Sequence, residues 1–220
     1  MDQRHRHLTE IALAAAGEQY GLALAGGYAV RVHGIGERPS SDIDLFFTDW
    51  QRRADFPAVV DLVAAALERA GFTVTTDARA ETFARLLVNR TDDPGGRTDK
   101  IEMAADWRSH PPVQLDIGPV LHPDDAVANK MAALYARAVA RDFLDVHAIL
   151  DSGRYSREQL LHLAVSADPG FDRTMFARAL GMANEISEKK TFAAYGTDGK
   201  TIASLRQAFA EWRRELVGDG

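Results

Sequence analysis

The sequence has 220 residues and no cysteine. That absence excludes disulfides, a thiolate metal site and a cysteine nucleophile. No apolar run is long enough to span a bilayer. Nor is there an excess of positive charge: 26 Lys and Arg stand against 32 Asp and Glu, a formal charge of −6. Such a chain is not a general nucleic-acid coat, and any contact with nucleic acid must be a local patch. The acids lean towards the start, with 13 basic against 18 acidic residues in the first 120 and 13 against 14 in the rest. What is present is a 46% apolar composition. It supplies a core for one domain, or one domain with a small appendage, and excludes disorder for most of the chain. Arg4-His5-Arg6-His7 ahead of Ile11 to Gly17 imitates a secretory signal. Glu10 and Glu18 bracket that run, which is too short and interrupted for one. The segment reads instead as an amphipathic helix from about Leu8 to Tyr20 with Thr9 near its cap, and the expected location is the cytoplasm.

Along the chain, Leu22-Ala23-Leu24-Ala25 ending at Gly26-Gly27 suggests a strand and a turn. Tyr28 to His33 has room for one or two helical turns before Gly34-Ile35-Gly36 and Pro39. Ile43, Leu45 and Phe47 alternate with Asp42, Asp44 and Phe46, a strand pattern. Phe56 to Ala70 is helical and ended by Gly71; Phe72 to Thr75 reads as a strand. Phe83 to Asn89 and Lys100 to Ala104 flank Asp92-Asp93-Pro94-Gly95-Gly96 as a β-hairpin. A last extended piece, Val113 to Ile117, leads to Pro119. From Pro123 helical patterning dominates to Leu216, with breaks at Ser152-Gly153, Asp168 to Gly170 and Gly196 to Gly199. The expectation is an α+β fold: a mixed sheet with flanking helices over residues 1–120 and a helical lobe over 121–220, the site lying in a cleft between them.

Chemistry first shows at Ser40-Ser41-Asp42-Ile43-Asp44-Leu45. Residues two apart on a strand share a face, so Asp42 and Asp44 project together with Ile43 and Leu45 behind them. Ionising both is costly without a cation, and hard oxygen ligands of this kind suit Mg²⁺. A lone Asp-x-Asp is also an ordinary solvated edge. Here Gly26-Gly27 precedes it, and glycines between strand and helix let backbone N–H groups approach an anion. A phosphate cradle beside a metal-binding pair is what nucleotidyl transfer needs. A third carboxylate would come from Glu102 or Asp116, each in a strand-like alternation. Lys130, Arg137, Arg141 and Asp145, if one helix runs through them, fall on a single stripe that could clamp a triphosphate; the alternative is a solvated face with an Arg141–Asp145 pair.

Gly26-Gly27 and Arg38-Pro39-Ser40-Ser41-Asp42-Ile43-Asp44 resemble the first motif of the DNA polymerase β-type nucleotidyltransferases, and more narrowly that of the AbiEii/MenT toxins of type IV toxin–antitoxin and abortive-infection systems. Lys130, Arg137, Arg141-Asp142 and Asp145 are similar to a later motif of that family. The resemblance spans about Leu22 to Leu150. It implies a polymerase β-type core with a helical C-terminal lobe. It also implies Mg²⁺ held by Asp42 and Asp44 with Glu102, and an NTP whose triphosphate is bound by Gly26, Gly27 and Lys130 with help from Arg38 and Arg141. Asp145 is implied to be needed for activity. The implied acceptor is the 3′ end of tRNA, the implied partner a cognate antitoxin, and the protein is expected to act as a monomer away from membranes. Ser40, beside the metal pair, is implied as a point of inhibitory phosphorylation. The rival readings are a same-fold enzyme acting on a small antibiotic or a protein hydroxyl, and a non-catalytic nucleotide-binding module.

Other features read as structural. His5 and His7 belong to a frayed terminus, His147 points away from Asp145, and no histidine pair has zinc spacing. Trp50, Trp107 and Trp212 read as packing residues. Lys189, Lys190, Lys200, Arg206, Arg213 and Arg214 make the end of the chain mildly basic, which suits a patch for RNA phosphates.

Overall fold

The computed structural model describes residues 1–36, 38–187 and 192–218, with Ala193 described by its backbone alone. Lys189 and Lys190 lie outside the described residues. Two compact units emerge: Met1–Val32 with Pro39–Pro123, and His33–Arg38 with Asp124–Gly220.

In the first unit, helix α1 (Gln3–Tyr20) starts at Asp2, whose carboxylate accepts the His5 N–H at 2.8 Å, and ends at Gly21 with φ 68°. The helix thus begins before the apolar periodicity does, because its cap and first turn are polar. Thr9 is not near the cap: it is buried inside the helix, its hydroxyl donating to the His5 carbonyl at 2.7 Å. Strand β1 (Leu22–Leu24) leads into α2 (Gly26–Val32), and β2 (Asp42–Phe47) follows. A 3₁₀ stretch (Trp50–Asp55) precedes α3 (Phe56–Arg69), which buries Phe56, Val59, Val60, Val63 and Leu67 along one stripe. Strands β3 (Phe72–Arg79), β4 (Phe83–Arg90) and β5 (Asp99–Ala105) are antiparallel in turn.

The expected extended piece at Val113–Ile117 is two short strands, β6 (Val113–Leu115) and β7 (Gly118–Val120), with Asp116 and Ile117 in the turn between them. Gly118, at φ 114°, lets the chain reverse there. The sheet order is β3-β4-β5-β2-β1-β7-β6, with β2–β5 and β1–β7 parallel. Helices α1 and α3 pack together on one face, where Phe47 meets Phe56 edge-on at 6.4 Å. Ile43, Leu45, Ile101 and Met103 are fully buried on that face. The alternate residues of β2 and β5 therefore project from the other face.

The second unit is helical: α4 (Pro123–Arg137), α5 (Ala140–Asp151), α6 (Arg157–Ala167), α7 (Arg173–Gly181) and α8 (Gly199–Gly218). Its core is aromatic. Phe143 meets Phe209 at 5.4 Å and Phe176 meets Trp212 edge-on at 5.1 Å. The α4–α5 region is not one helix. Ala138 takes φ 46° and Val139 is extended. Asp142 holds this break: its carboxylate accepts three bonds from Arg137, at 2.8, 2.9 and 3.2 Å, and one from the Val139 N–H at 3.3 Å. Among the described residues no helix is long and apolar enough to cross a membrane.

Trp212 is a packing residue, but Trp50 and Trp107 are 39% and 48% exposed. Trp50 sits in the short 3₁₀ stretch and carries the Arg53 guanidinium on its ring at 4.9 Å. His110 and His122, far apart in sequence, stack with centroids 4.2 Å apart. Arg206 donates within its own unit to the carbonyls of Ala183 and Ile186, at 3.3 and 2.9 Å.

Candidate active site

The first unit assembles a carboxylate face from pleat and register. The parallel β2–β5 register sets Asp42 opposite Lys100 and Asp44 opposite Glu102, and the antiparallel β4–β5 register sets Arg85 opposite Glu102. Neighbouring strands lie about 4.8 Å apart, so Asp42, Asp44 and Glu102 form a compact acidic group at the sheet centre. Asp116 is elsewhere: it is exposed in the turn after β6, the outermost strand on the far side of β1. Register therefore puts Glu102, and not Asp116, beside the aspartate pair.

The face already attracts a cation. Lys100 Nζ lies 2.9 Å from Asp42 Oδ2 and 3.3 Å from Glu102 Oε1. Burial opposes the Lys100 charge, but the two carboxylates outweigh it and hold the ammonium above its ordinary range. Arg85 donates to the same Glu102 Oε1 at 2.9 Å. Among the described residues the contacts of Glu102 fall on that one oxygen, which leaves Oε2 for another ligand. The donor set is hard oxygen throughout, and an ammonium stands among it in the manner of a cation. These residues fit a small divalent ion.

Gly26 has a definite role here. It lies at φ 62°, and a Cβ on it would come within 1.8 Å of Asp44 Oδ2. The Ala25 N–H donates to the Asp44 carbonyl at 2.8 Å, so the β1–α2 turn is pressed onto Asp44. Glycine is needed so that the Asp44 carboxylate has room, rather than only to admit an approaching anion as its place between strand and helix suggests. Gly27 follows in the first turn of α2.

His5 is not frayed. It is 1% exposed, with Nδ1 2.6 Å from the Tyr28 hydroxyl and Nε2 3.1 Å from Asp99 Oδ1. The Tyr28 hydroxyl donates to the Ser40 carbonyl at 3.1 Å, and Ser40 Oγ donates to the Asp42 carbonyl at 3.0 Å. A chain of polar contacts thus runs from the N-terminal helix to the backbone that enters β2. Composition gives no sign of it, because its members are 23 and 12 residues apart.

The second unit brings together Arg38, Lys130 and Asp145. Arg38 donates to both Asp145 oxygens, at 2.6 and 3.1 Å, and Lys130 Nζ lies 2.8 Å from Asp145 Oδ2. All three side chains are at most 16% exposed. Burial pushes the Asp145 carboxyl up, but Arg38 and Lys130 outweigh it and hold Asp145 below the usual carboxylate range. Asp145 thus positions two cations at once. The expected stripe does not form, because the helix breaks at Ala138: Arg137 pairs with Asp142, and Arg141, half-buried on α5, stands outside the trio. The Arg38–Asp145 pair spans 107 residues and has no signature in either motif alone.

The family model for the nucleotidyl transferase AbiEii toxin of type IV toxin–antitoxin systems matches residues 8–220. JHP933 from Helicobacter pylori has the same fold, with a TM-score of 0.58 at 15% identity over 99% of this chain and 92% of that one. A putative nucleotidyltransferase from H. pylori gives 0.59 at 15% identity over 99% and 96%. MenT4, the nucleotidyltransferase toxin Rv2826c from Mycobacterium tuberculosis H37Rv, gives 0.55 at 19% identity over 94% and 82%. No curated protein matches the chain. On the family match over nearly its whole length, the chain belongs to the AbiEii family of nucleotidyltransferase toxins and is a nucleotidyltransferase.

Proposed function

We propose that the protein moves a nucleoside monophosphate from an NTP to an RNA hydroxyl, the 3′ end of tRNA, and so blocks aminoacylation and growth. The observation that carries this reading is the register pairing of Asp44 with Glu102 beside Asp42, an oxygen-rich face that attracts a cation. Asp42, Asp44 and the Glu102 Oε2 side are the groups that would hold Mg²⁺. That ion, when bound, supplies neutralisation of phosphate charge and acidification of the acceptor hydroxyl. Lys130 and Arg38, oriented by Asp145, bind triphosphate oxygens, Lys130 as a point charge and Arg38 as a fork. The backbone N–H groups of Gly26 and Gly27 add neutral donors. Arg141 is left as an outer phosphate contact. The acceptor hydroxyl gives up its proton to water as its oxygen bonds to the α-phosphorus; the bond from that phosphorus to the α,β-bridging oxygen breaks, and pyrophosphate leaves with that oxygen.

The family membership supports a cognate antitoxin as partner, and tRNA as substrate points to the cytoplasm. Ser40 is the proposed point of inhibition: a phosphate there removes the donor to the Asp42 carbonyl and adds about −1.5 to −2 charge next to the carboxylates. Ser40→Asp should therefore be slow; normal activity in that variant would sink the idea.

The test is a transfer assay with purified protein, Mg²⁺, each labelled NTP and total tRNA, run beside Asp44→Ala. Label in tRNA with the wild type alone supports the reading. NTP consumption that depends on Asp44 but leaves RNA unlabelled moves the acceptor to a small molecule or a protein. No turnover of any NTP by folded protein refutes catalysis and leaves a nucleotide-binding module.

A further inference from the structure

The helical unit contains a cavity of about 720 Å³ lined by Arg38, His147, Tyr195 and Ser204, together with Asp151 and Lys200. Its size falls within the range of about 300–1,000 Å³ typical of small-ligand sites. Neither sequence motif accounts for it: of its lining residues only Arg38 belongs to one.

Its chemistry is that of a site for a flat, uncharged, polar ring. Among the described residues cations and acids are balanced on the lining, Arg38 and Lys200 against Asp151 and Asp198. Asp198, at its edge, already caps α8 by accepting the Thr201 N–H at 2.7 Å. Tyr195 is 37% exposed and offers an aromatic surface for stacking. Burial pushes the His147 imidazole below its ordinary range, against the opposing charge of Asp151, so it is neutral at pH 7 and presents one donor and one acceptor. His147 Nε2 and Ser204 Oγ are 3.4 Å apart, a long contact that both can exchange for bonds to a ligand.

Arg38 connects this cavity to the trio described above. Its guanidinium grips Asp145 and also lies 5.4 Å from the centroid of the Tyr195 ring. The cavity therefore begins where the cationic trio ends, as the base of a nucleotide follows its phosphates.

We propose that this cavity receives the nucleobase of the NTP, with Tyr195 stacking on the ring and His147 and Ser204 reading its hydrogen-bonding edge. The inference rests on the nucleotidyl-transfer reading and adds the element that selects among NTPs. Arg38 is then the residue shared by the phosphate and base subsites.

The experiment measures affinity of the full chain for ATP, CTP, GTP, UTP and inorganic tripolyphosphate. It compares the wild type with Tyr195→Ala, Tyr195→Phe and Ser204→Ala, each checked for folding by thermal melt. The wild type should bind its preferred NTP at least about tenfold more tightly than tripolyphosphate, the base supplying the margin. Tyr195→Ala should erase about tenfold of that margin and Tyr195→Phe should keep it. Ser204→Ala should lower discrimination among the four NTPs by about tenfold at most, the worth of one hydrogen bond. Tripolyphosphate affinity should hold throughout. Equal losses for NTP and tripolyphosphate, or an unmoved margin, overturn the inference. So does a raised KM for tRNA with NTP selection intact, which would assign the cavity to the acceptor. If the wild type transfers label while the margin stays unmoved, only this inference falls. If the wild type binds and consumes no NTP, the underlying reading falls with it.

Discussion

Gly26→Ala is the sharpest test of the carboxylate face. The added Cβ would lie 1.8 Å from Asp44 Oδ2 and 2.5 Å from its Cγ, where ordinary contact begins near 3.4 Å, so the carboxylate must retreat by about 1.6 Å. The strand cannot move to accommodate it, because β2 is hydrogen-bonded between β1 and β5. A catalytic group misplaced by about 1 Å can cost about 100-fold. The expected loss in kcat/KM is thus about 100-fold or more, or about 2.7 kcal/mol of transition-state stabilisation. The backbone adds a separate cost: φ 62° is left-handed, which costs a non-glycine residue about 1–2 kcal/mol of stability. In a chain of this size that lowers Tm by about 2–8 °C. Gly71→Ala separates the two effects. Gly71 has φ 89°, and a methyl group added there would meet nothing within 4 Å, so it carries the backbone cost without the clash. The assay is pyrophosphate release with NTP and tRNA, alongside thermal melts. Gly26→Ala should lose at least as much stability as Gly71→Ala, and only Gly26→Ala should lose activity. Activity of Gly26→Ala within about threefold of Gly71→Ala would refute the argument that this glycine makes room for Asp44.

Asp145→Asn leaves two buried cations without their shared carboxylate and should cost about 3–5 kcal/mol in urea denaturation, together with the loss of transfer activity. Tyr28→Phe removes the hydroxyl between His5 and the Ser40 carbonyl and should cost about 1–3 kcal/mol, with a lower kcat and an unchanged KM for NTP. Acid sensitivity should arrive in two stages, read as Tm against pH. His147 is depressed in the folded chain, so below the ordinary histidine range near 6.5 the unfolded chain binds the extra proton and stability falls with pH; His147→Gln should flatten this part of the curve. Asp145 is also depressed in the folded chain, so its contribution is present above the ordinary carboxylate range near 3.9 and is lost as pH falls through its lower folded value.

Much of the fold is readable from local order. The period-2 alternation of Asp42 to Phe47 requires a strand with its aspartates on one face, because Ile43, Leu45 and Phe47 need the other for the core. Gly71, Gly21 and the turn at Asp92–Gly96 stop elements where glycine and turn chemistry would. The helical stripe through Lys130 and Asp145 fails for an equally local reason. Ala138 is a good helix former, and no Gly or Pro marks the break. The break is held by Arg137 and Asp142, a pairing that periodicity cannot see. The N-terminal helix is longer than its apolar pattern because its first turn is buried through a polar residue, His5, which apolar periodicity does not count.

Local order was enough for the class of fold, the aspartate pair and the family resemblance. Each of these depends on neighbours in the chain: pleat, turn and motif spacing. Long-range packing alone put Glu102 rather than Asp116 beside the aspartate pair, joined Arg38 to Asp145 across 107 residues, and placed His147 beside Ser204 in a cavity. Those choices depend on strand order, register and helix docking. These are set by burial of apolar surface summed over the whole chain, and that sum leaves no mark at any single position.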